Sequence, residues 1–346
     1  MTAILFELHH MGDAVLSIPF VRAMTGKNLH VVCRGGSAPI FRKFLPLNNI
    51  HIWEPWWELP AAKIHSSLSE LFRLLKVLRG LRCDQALCVW ADSRVHWLMR
   101  QTGARKTLGF PVNRRNFYAH ERPWRRRRMR IGQILGLLSP LSHPIQRRGY
   151  QQSHLDDWQQ LTEAAGLPWN TEVPWFDVKP ASDAAQLRNP NRKIWLIHPG
   201  GRLLTKRWPV ERFQSLLQIR FLDSSCILIS PPDSDPLIPA GKNQIAVRTQ
   251  SFEELLSWIA AADAVLCNDS LVSHLAAALG KPVWTIFGSG NPNWFAPFQN
   301  VQRVIACDVC SFRPCVDRCV HLSPICLESV TVDQVSTAVP LTDNFS

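Results

Sequence analysis

Val265–Pro297, VLCNDSLVSHLAAALGKPVWTIFGSGNPNWFAP, is the stretch on which the fold turns. A buried strand, Ala264–Cys267, runs into the polar turn Asn268–Asp269–Ser270. A helix of small residues follows at Val272–Leu279, then a Gly-Lys-Pro turn, a second strand at Val283–Phe287 and the Gly-rich loop Gly288–Gly290. Strand, helix and strand with turn chemistry in those places make one βαβ unit of a parallel sheet. Such sheets bind ligands beyond the carboxyl ends of their strands, where helix N-termini offer free backbone N–H groups to anions. Asp269, Ser270, His274 and Gly288 all lie at that end, so the stretch predicts a site for a phosphorylated ligand.

The alternation extends in both directions. Upstream, strand Ile194–Ile197 leads through His198–Arg207 to a helix over Val210–Phe221. Strands at Cys226–Ser230 and Gln244–Val247 and a helix over Phe252–Ala261 complete this half. The other half opens alike, with strand Ile4–Leu8, turn His9–Asp13, a helix over Ala14–Met24 and strand Leu29–Cys33. Within Ser67–Arg79 the residues Leu68, Leu71, Leu74, Leu75 and Leu78 recur at the spacing of one buried helix face. A strand at Gln85–Trp90 and a helix from about Arg94 to Gln101 follow, and a helix over Ser153–Ala165 is stopped by Gly166 and Pro168. Two halves that each begin strand–Gly turn–helix predict an α/β protein of two Rossmann-like domains facing across a cleft. The expected boundaries are 1–177, a linker at 178–192, and 193–346. Neither Gly turn keeps the G-x-G-x-x-G spacing, which argues against a dehydrogenase.

With 346 residues, 46% apolar and 19% charged, the chain has the size and composition for two packed cores. No run approaches the ~18 apolar residues of a spanning helix. The first residues enter a strand rather than a signal-peptide pattern, so a cytoplasmic protein is expected. The net charge of +12 is concentrated: between Arg100 and Tyr150 thirteen Arg or Lys face one acid, Glu121, which accounts for the whole excess. The run Arg125–Arg126–Arg127–Arg128 leads into the apolar Ile131–Leu141. A basic segment followed by an apolar one suits an anionic membrane surface, while a solvated face and an ordinary core helix are the plainer readings.

The opening stretch resembles the nucleotide-sugar-binding signature of glycosyltransferase family 9, the ADP-heptose:lipopolysaccharide heptosyltransferases: D-[ST]-x-x-x-H-L-A-A-A-L-G-K-P-V followed by F-G. Two more segments resemble that family in order and spacing. They are ILFELHHMGDAVLSIPFVRA at Ile4–Ala23 and WLIHPGGRLLTKRWPVERFQSL at Trp195–Leu216. The resemblance spans Ile4 to about Val330 and is loose over the central region, about Pro46–Asp177. It implies the GT-B architecture, with acceptor recognition in the first domain and the nucleotide sugar in the second. It also implies inverting, metal-independent transfer of heptose from ADP-heptose to a lipopolysaccharide core acceptor (Kdo/heptose) by an enzyme peripheral on the cytoplasmic face of the inner membrane.

Read from the residues alone, Gly12–Asp13 is a sharp turn followed by a helix cap. The resemblance instead implies that Asp13 is the general base for the acceptor hydroxyl. Lys206, in the Lys-x-Trp-Pro position, is the candidate for the charge growing on the leaving diphosphate. Gly200 and Gly201 would let backbone N–H groups approach phosphate. Ser270 and the helix start at Asp269–His274 would hold the remainder, Asp233 or Asp235 would meet the ribose, and Gly12 with Arg125–Arg128 would meet the anionic acceptor. The Asp269 side chain reads either as an acceptor for heptose hydroxyls or as a plain N-cap, and His274 either as a donor to a phosphate or sugar oxygen or as a packed histidine.

Two positions depart from the family pattern. Leu271 stands where Gly usually follows the Asp-Ser pair, and Glu7 stands in the first strand where many members carry Arg. Both leave open another sugar, a protein or different glycan as acceptor, or a paralogue without turnover. A nucleic-acid-binding protein is the alternative from a different class, but the Arg-rich window holds no reader motif. Cys307, Cys310, Cys315, Cys319 and Cys326 form either a structural zinc or iron site or a group of inert thiols, and no cofactor is required. Fourteen tryptophans include Trp53, Trp56 and Trp57 in a Pro-flanked loop, placed for sugar stacking or for packing on the Ser67–Arg79 helix.

Overall fold

The computed structural model describes residues 1–59, 64–112, 140–148, 153–230, 236–315 and 319–340. The chain forms two compact units, Met1–Thr171 and Glu172–Ser346. In the first, a parallel sheet runs in the order β3-β2-β1-β4-β5-β6. Its strands are β1 (Thr2–Glu7), β2 (Asn28–Cys33), β3 (Ile50–Ile52), β4 (Gln85–Cys88), β5 (Lys106–Gly109) and β6 (His143–Pro144). β1 is the centre, and Ala3, Ile4 and Leu5 are fully buried because helices cover both faces of such a sheet. Helices α1 (Met11–Leu16), α2 (Ile18–Ala23), α3 (Ala38–Phe41), α4 (Ile64–Gly80), α5 (Ser93–Gln101) and α6 (His154–Ala164) belong to this unit.

The single helix expected over Ala14–Met24 is two. Pro19 lies in the first turn of α2, where a missing N–H is tolerated, and Ser17 marks the break with its hydroxyl donating to Ala14 O at 2.7 Å. The leucine stripe of α4 behaves as the spacing predicts, with Leu71, Leu75 and Leu78 buried in one core with Phe6, Trp53 and Met99.

The second unit repeats the order as β12-β11-β10-β7-β8-β9. Here β7 (Ile194–His198), β8 (Ser225–Ile229), β9 (Gln244–Val247), β10 (Ala264–Asn268), β11 (Val283–Phe287) and β12 (Val304–Ala306) are again parallel. Its helices are α7 (Val210–Ile219), α8 (Phe252–Ala261), α9 (Leu271–Ala278), α10 (Pro292–Phe295), α11 (Ile325–Glu328) and α12 (Val332–Ala338). The residues read as a linker wrap onto this unit: Ser182–Leu187 form a 3-10 turn, Ala184 and Leu187 are buried, and Ser225 Oγ donates to Leu187 O. α12 packs on α7, with Val335 and Val339 in the second unit's core.

In each sheet the first strand of the unit lies between its second and its fourth strand. The chain therefore reverses its winding between β1 and β4, and again between β7 and β10. Crevices at such switch points, beyond the strands' carboxyl ends, are where open α/β sheets hold ligands. No helix among the described residues is long and apolar enough to cross a membrane.

Candidate functional site

At the switch point of the second unit, β7 ends in His198 and β10 in Asn268. Asn268 is fully buried and ties the two loops together. Its Nδ2 donates to Pro199 O at 2.6 Å and to Gly200 O at 3.4 Å, and its Oδ1 accepts from the Trp208 amide at 3.2 Å. The loop from 199 to 208 is thereby fixed to β10. The fold uses the carbonyls of this loop, since Gly201 O accepts from Arg207 Nε as well. Among the described residues no bond is made by the amides of Gly200 and Gly201, which leaves them free to meet an anion.

Lys206 sits on that loop with its Nζ 2.7 Å from Asp269 Oδ2 and 5.6 Å from the centroid of the Phe295 ring. Asp269 follows β10 directly, and its own amide donates to Ile286 O at 3.1 Å. Ser270 is the residue before α9, and its hydroxyl oxygen is buried without a partner. Helix α9 therefore begins without a side-chain cap, and its first amides point to the same end of the sheet. Leu271 is half-buried as the first helical residue, and His274, one turn on, is buried.

Gly288 and Gly290 close the loop after β11. A Cβ on Gly288 would lie 2.5 Å from Thr205 O and 2.6 Å from Leu327 Cγ, and one on Gly290 would lie 2.6 Å from Asp269 Oδ2. Ser289 donates from its amide to Thr205 O and from its hydroxyl to Thr205 Oγ1. The Gly-rich loop thus braces the lysine loop through backbone contact. His198 Nδ1 faces Ile229 O at 2.9 Å, so this nitrogen carries the proton. Burial pushes the ring pKa down to about 4 and keeps the imidazole neutral, with Nε2 as an acceptor.

At the switch point of the first unit, Glu7 ends β1, and Trp90 and Asp92 follow β4. Asp13 lies in the first turn of α1 and accepts from the His10 amide at 3.1 Å, the capping contact that the bare sequence suggests. Gly12 precedes it in α1. His9 stacks on Trp90, centroids 3.9 Å apart, and Trp90 meets the buried His154 at 4.4 Å. Behind them Arg147 holds the fully buried Asp157, with contacts of 3.0 and 2.9 Å. Burial, with the Asp13 charge second, raises the Glu7 carboxyl well above its ordinary value. That shift favours the neutral acid form of Glu7 over its carboxylate. Burial likewise lowers His9 to about 4.

Asp233, Asp235 and Arg125–Arg128 lie outside the described residues. Trp53 packs as a core residue, its indole N–H donating to Ser67 O at 3.0 Å, with Trp56 and Trp57 edge-on around it. The described cysteines are free thiols. Cys310 and Cys326 are buried in the second core, Cys310 Sγ is 3.7 Å from His321 Nε2, and Cys319 donates to Ser323 O. Among the described residues no three His, Cys, Asp or Glu side chains gather as a ligand set, so no metal site is assigned there. Sequence reasoning missed Asn268 as the clamp between loops. The available signal was a lone amide at the end of an otherwise apolar strand, immediately before the Asp-Ser pair.

Two Rossmann-like sheets in one chain, the second carrying a lysine loop, a helix N-terminus and a Gly-rich loop at its switch point, define a GT-B glycosyltransferase fold. Residues 71–323 match the model of glycosyltransferase family 9 (heptosyltransferase), and the chain belongs to that family. Solved structures share the fold. Escherichia coli ADP-heptose lps heptosyltransferase II matches with a TM-score of 0.64 at 17% identity, covering 98% of this chain and 97% of that one. E. coli heptosyltransferase WaaC with ADP matches with 0.64 at 16% identity, covering 97% and 98%.

Among curated relatives, lipopolysaccharide heptosyltransferase 3 of E. coli is 22% identical over 312 residues, 84% of each chain. Lipopolysaccharide core heptosyltransferase OpsX of Haemophilus influenzae is 27% identical over 167 residues, 44% of this chain and 47% of that one. The match spans about half of OpsX and 44% of lipooligosaccharide heptosyltransferase 2 from the same organism.

Proposed function

We propose that this chain transfers heptose from ADP-heptose to a lipopolysaccharide core acceptor with inversion at the anomeric carbon. The observation that carries the reading is Lys206, held on a braced loop beside the uncapped start of α9 at the second switch point. A diphosphate there would meet the lysine charge, the free amides of Gly200 and Gly201, the buried Ser270 hydroxyl and the first amides of α9. As the glycosidic bond breaks, negative charge grows on the diphosphate, and these groups are already in place to receive it. In this reading they carry the charge that a divalent cation would otherwise carry. The acceptor hydroxyl attacks the face opposite the departing ADP, and Asp13 takes its proton. Family relatives whose names specify lipopolysaccharide support the acceptor class; work at the cytoplasmic face of the inner membrane is part of the same proposal.

The test is incubation with ADP-heptose and a heptose-deficient lipopolysaccharide core, read by mass spectrometry of the product and by the anomeric configuration in its NMR spectrum. Transfer with inversion is the expected result, and UDP- or GDP-sugars should not replace the donor. Asp13→Asn should lower turnover by about 10²-fold or more while ADP affinity stays within about twofold. Equal loss of both would make Asp13 a capping residue and remove it from the chemistry.

A further inference from the structure

Far from the Glu7–Asp13 site, at the amino ends of β4 and β5, the first unit has a cavity of about 390 Å³ whose lining includes four arginines: Arg79, Arg82, Arg100 and Arg105. Arg79 and Arg100 fall in the last turns of α4 and α5, where a cation complements the helix dipole. Arg79 also closes α5, donating from Nε to Gln101 O at 2.6 Å and from Nη2 to Gln101 Oε1 at 3.0 Å. Arg82 and Arg105 lie beyond the helices and have no such purpose. Arg82 has φ +48°, a backbone conformation that Gly or Asn occupies more readily, yet the chain keeps an arginine there. The acid beside the group is Asp84, 3.7 Å from an Arg105 side chain that is 83% exposed, a contact too solvated to neutralise the cluster.

Apolar side chains approach the same place. On α4, Phe72, Lys76 and Arg79 follow one another at helical spacing along an exposed stripe, and Val77 lies beside it. On α5, Arg94, Trp97 and Arg100 do the same. Phe72 is 72% exposed and Trp97 46%, and the two stripes converge where Arg79 bonds Gln101. Together the helices expose Arg73, Lys76, Arg79 and Arg100 against one acid, Glu70, while Arg94 is paired with Asp92 at 2.6 Å.

We propose that this α4–α5 face, with the four-arginine cavity at its end, is where the chain docks on an anionic phospholipid bilayer. Guanidinium groups take lipid phosphates, while Phe72, Val77 and Trp97 enter the interfacial layer. A nucleic acid backbone could use the arginines, but it would leave Phe72 and Val77 without a partner. The proposal concerns attachment alone and stands whichever sugar and acceptor the transfer site uses.

The test is flotation with phosphatidylcholine vesicles made with and without phosphatidylglycerol. The wild-type chain should float with the anionic vesicles only. The double variant Arg100→Glu/Arg105→Glu changes exposed side chains, and its partitioning should fall roughly thirtyfold or more, since each basic residue near such a surface contributes about a fivefold factor and each reversal adds repulsion. Phe72→Ser/Trp97→Ser should lose several-fold while keeping its charge. Unchanged circular dichroism and an unchanged thermal shift with ADP would show that both variants are folded with the transfer site intact. Wild-type flotation by the charge-reversed variant overturns the proposal, and so does RNA binding without any preference for anionic vesicles.

Discussion

Replacing Lys206 with Ala tests the second-unit site most directly. Lys206 Nζ lies 2.7 Å from Asp269 Oδ2, and the aspartate side chain is only 3% exposed. Removing one partner of a buried pair costs about 3–5 kcal/mol, because the other charge stays buried alone. Lys206 itself is 19% exposed, so water entering the vacated space screens part of that cost. About 2–3 kcal/mol is expected, or roughly 4–12 °C in the melting temperature of a unit of this size. Adding Asp269→Asn to the variant should restore most of the loss, since no charge is then left unpaired.

Ligand binding separates the lysine's two partners. A charge-assisted bond to phosphate is worth about 1.5–3 kcal/mol, so Lys206→Ala should weaken ADP about 10- to 150-fold by calorimetric titration. Asp269→Asn alone should leave ADP affinity intact or improve it, because the lysine no longer divides its charge between ligand and carboxylate. The reasoning is refuted if Lys206→Ala melts and binds ADP as the parent does. If Asp269→Asn weakens ADP as much as Lys206→Ala, the carboxylate is itself a ligand contact and the lysine's part must be reassigned.

Gly288→Ala places a methyl 2.5 Å from the Thr205 carbonyl, in backbone that cannot step aside as the tip of Leu327 can. It should cost about 1–3 kcal/mol and shift the lysine loop, lowering melting temperature and ADP affinity together; loss of stability with unchanged ADP affinity would uncouple the two loops. Glu7→Gln bears on pH. The Glu7 carboxyl is raised in the fold, so the stability it contributes is present below the ordinary value of 4.5 and declines as pH rises toward the folded value. The variant should flatten that decline, by about 1.4 kcal/mol for each unit of the shift. Parallel melting curves for parent and variant between about pH 5 and 8 would show that Glu7 titrates normally.

The βαβ unit around Asp269 was legible because each of its signals is local. Val265–Cys267 is a continuous apolar run and Val283–Phe287 is one broken only by Thr285, as strands buried on both faces favour, and turn residues bound them. The observed elements, Ala264–Asn268, Leu271–Ala278 and Val283–Phe287, differ from that reading by a residue at most at any end. Strands β3, β5, β6 and β12 were not legible. Each has two to four residues and forms by completing a sheet whose neighbouring strands already exist, as His143–Pro144 does against Leu108–Gly109. The pairing of Lys206 with Asp269 joins positions on loops that follow different strands, so no spacing rule could announce it. The upward shift of Glu7 was hidden for another reason: the letter specifies an acid, and only its burial in the fold moves the titration.

The charge pattern that burial creates differs between the two switch points in a way that suits different chemistry. Around Asp13 burial favours neutral forms of Glu7 and His9. Burial opposes ionisation of Asp92 too, but Arg94, with its Nη2 2.6 Å away, outweighs it and lowers that pKa. Asp157 is held by Arg147. Among the described residues no cation pairs with the Asp13 carboxylate, which accepts from the His10 amide. A carboxylate that no cation occupies has an oxygen open to an acceptor hydroxyl, which is the geometry a general base needs. At the second switch point the opposite holds. There the cation is retained and given a buried carboxylate as partner, so Lys206 is ordered before any ligand arrives. A ligand with more than one negative charge can then bind by sharing the lysine, whereas a singly charged one gains little over what Asp269 already supplies. On that argument ADP should bind far more tightly than AMP, and the difference should shrink once Asp269 is replaced by Asn.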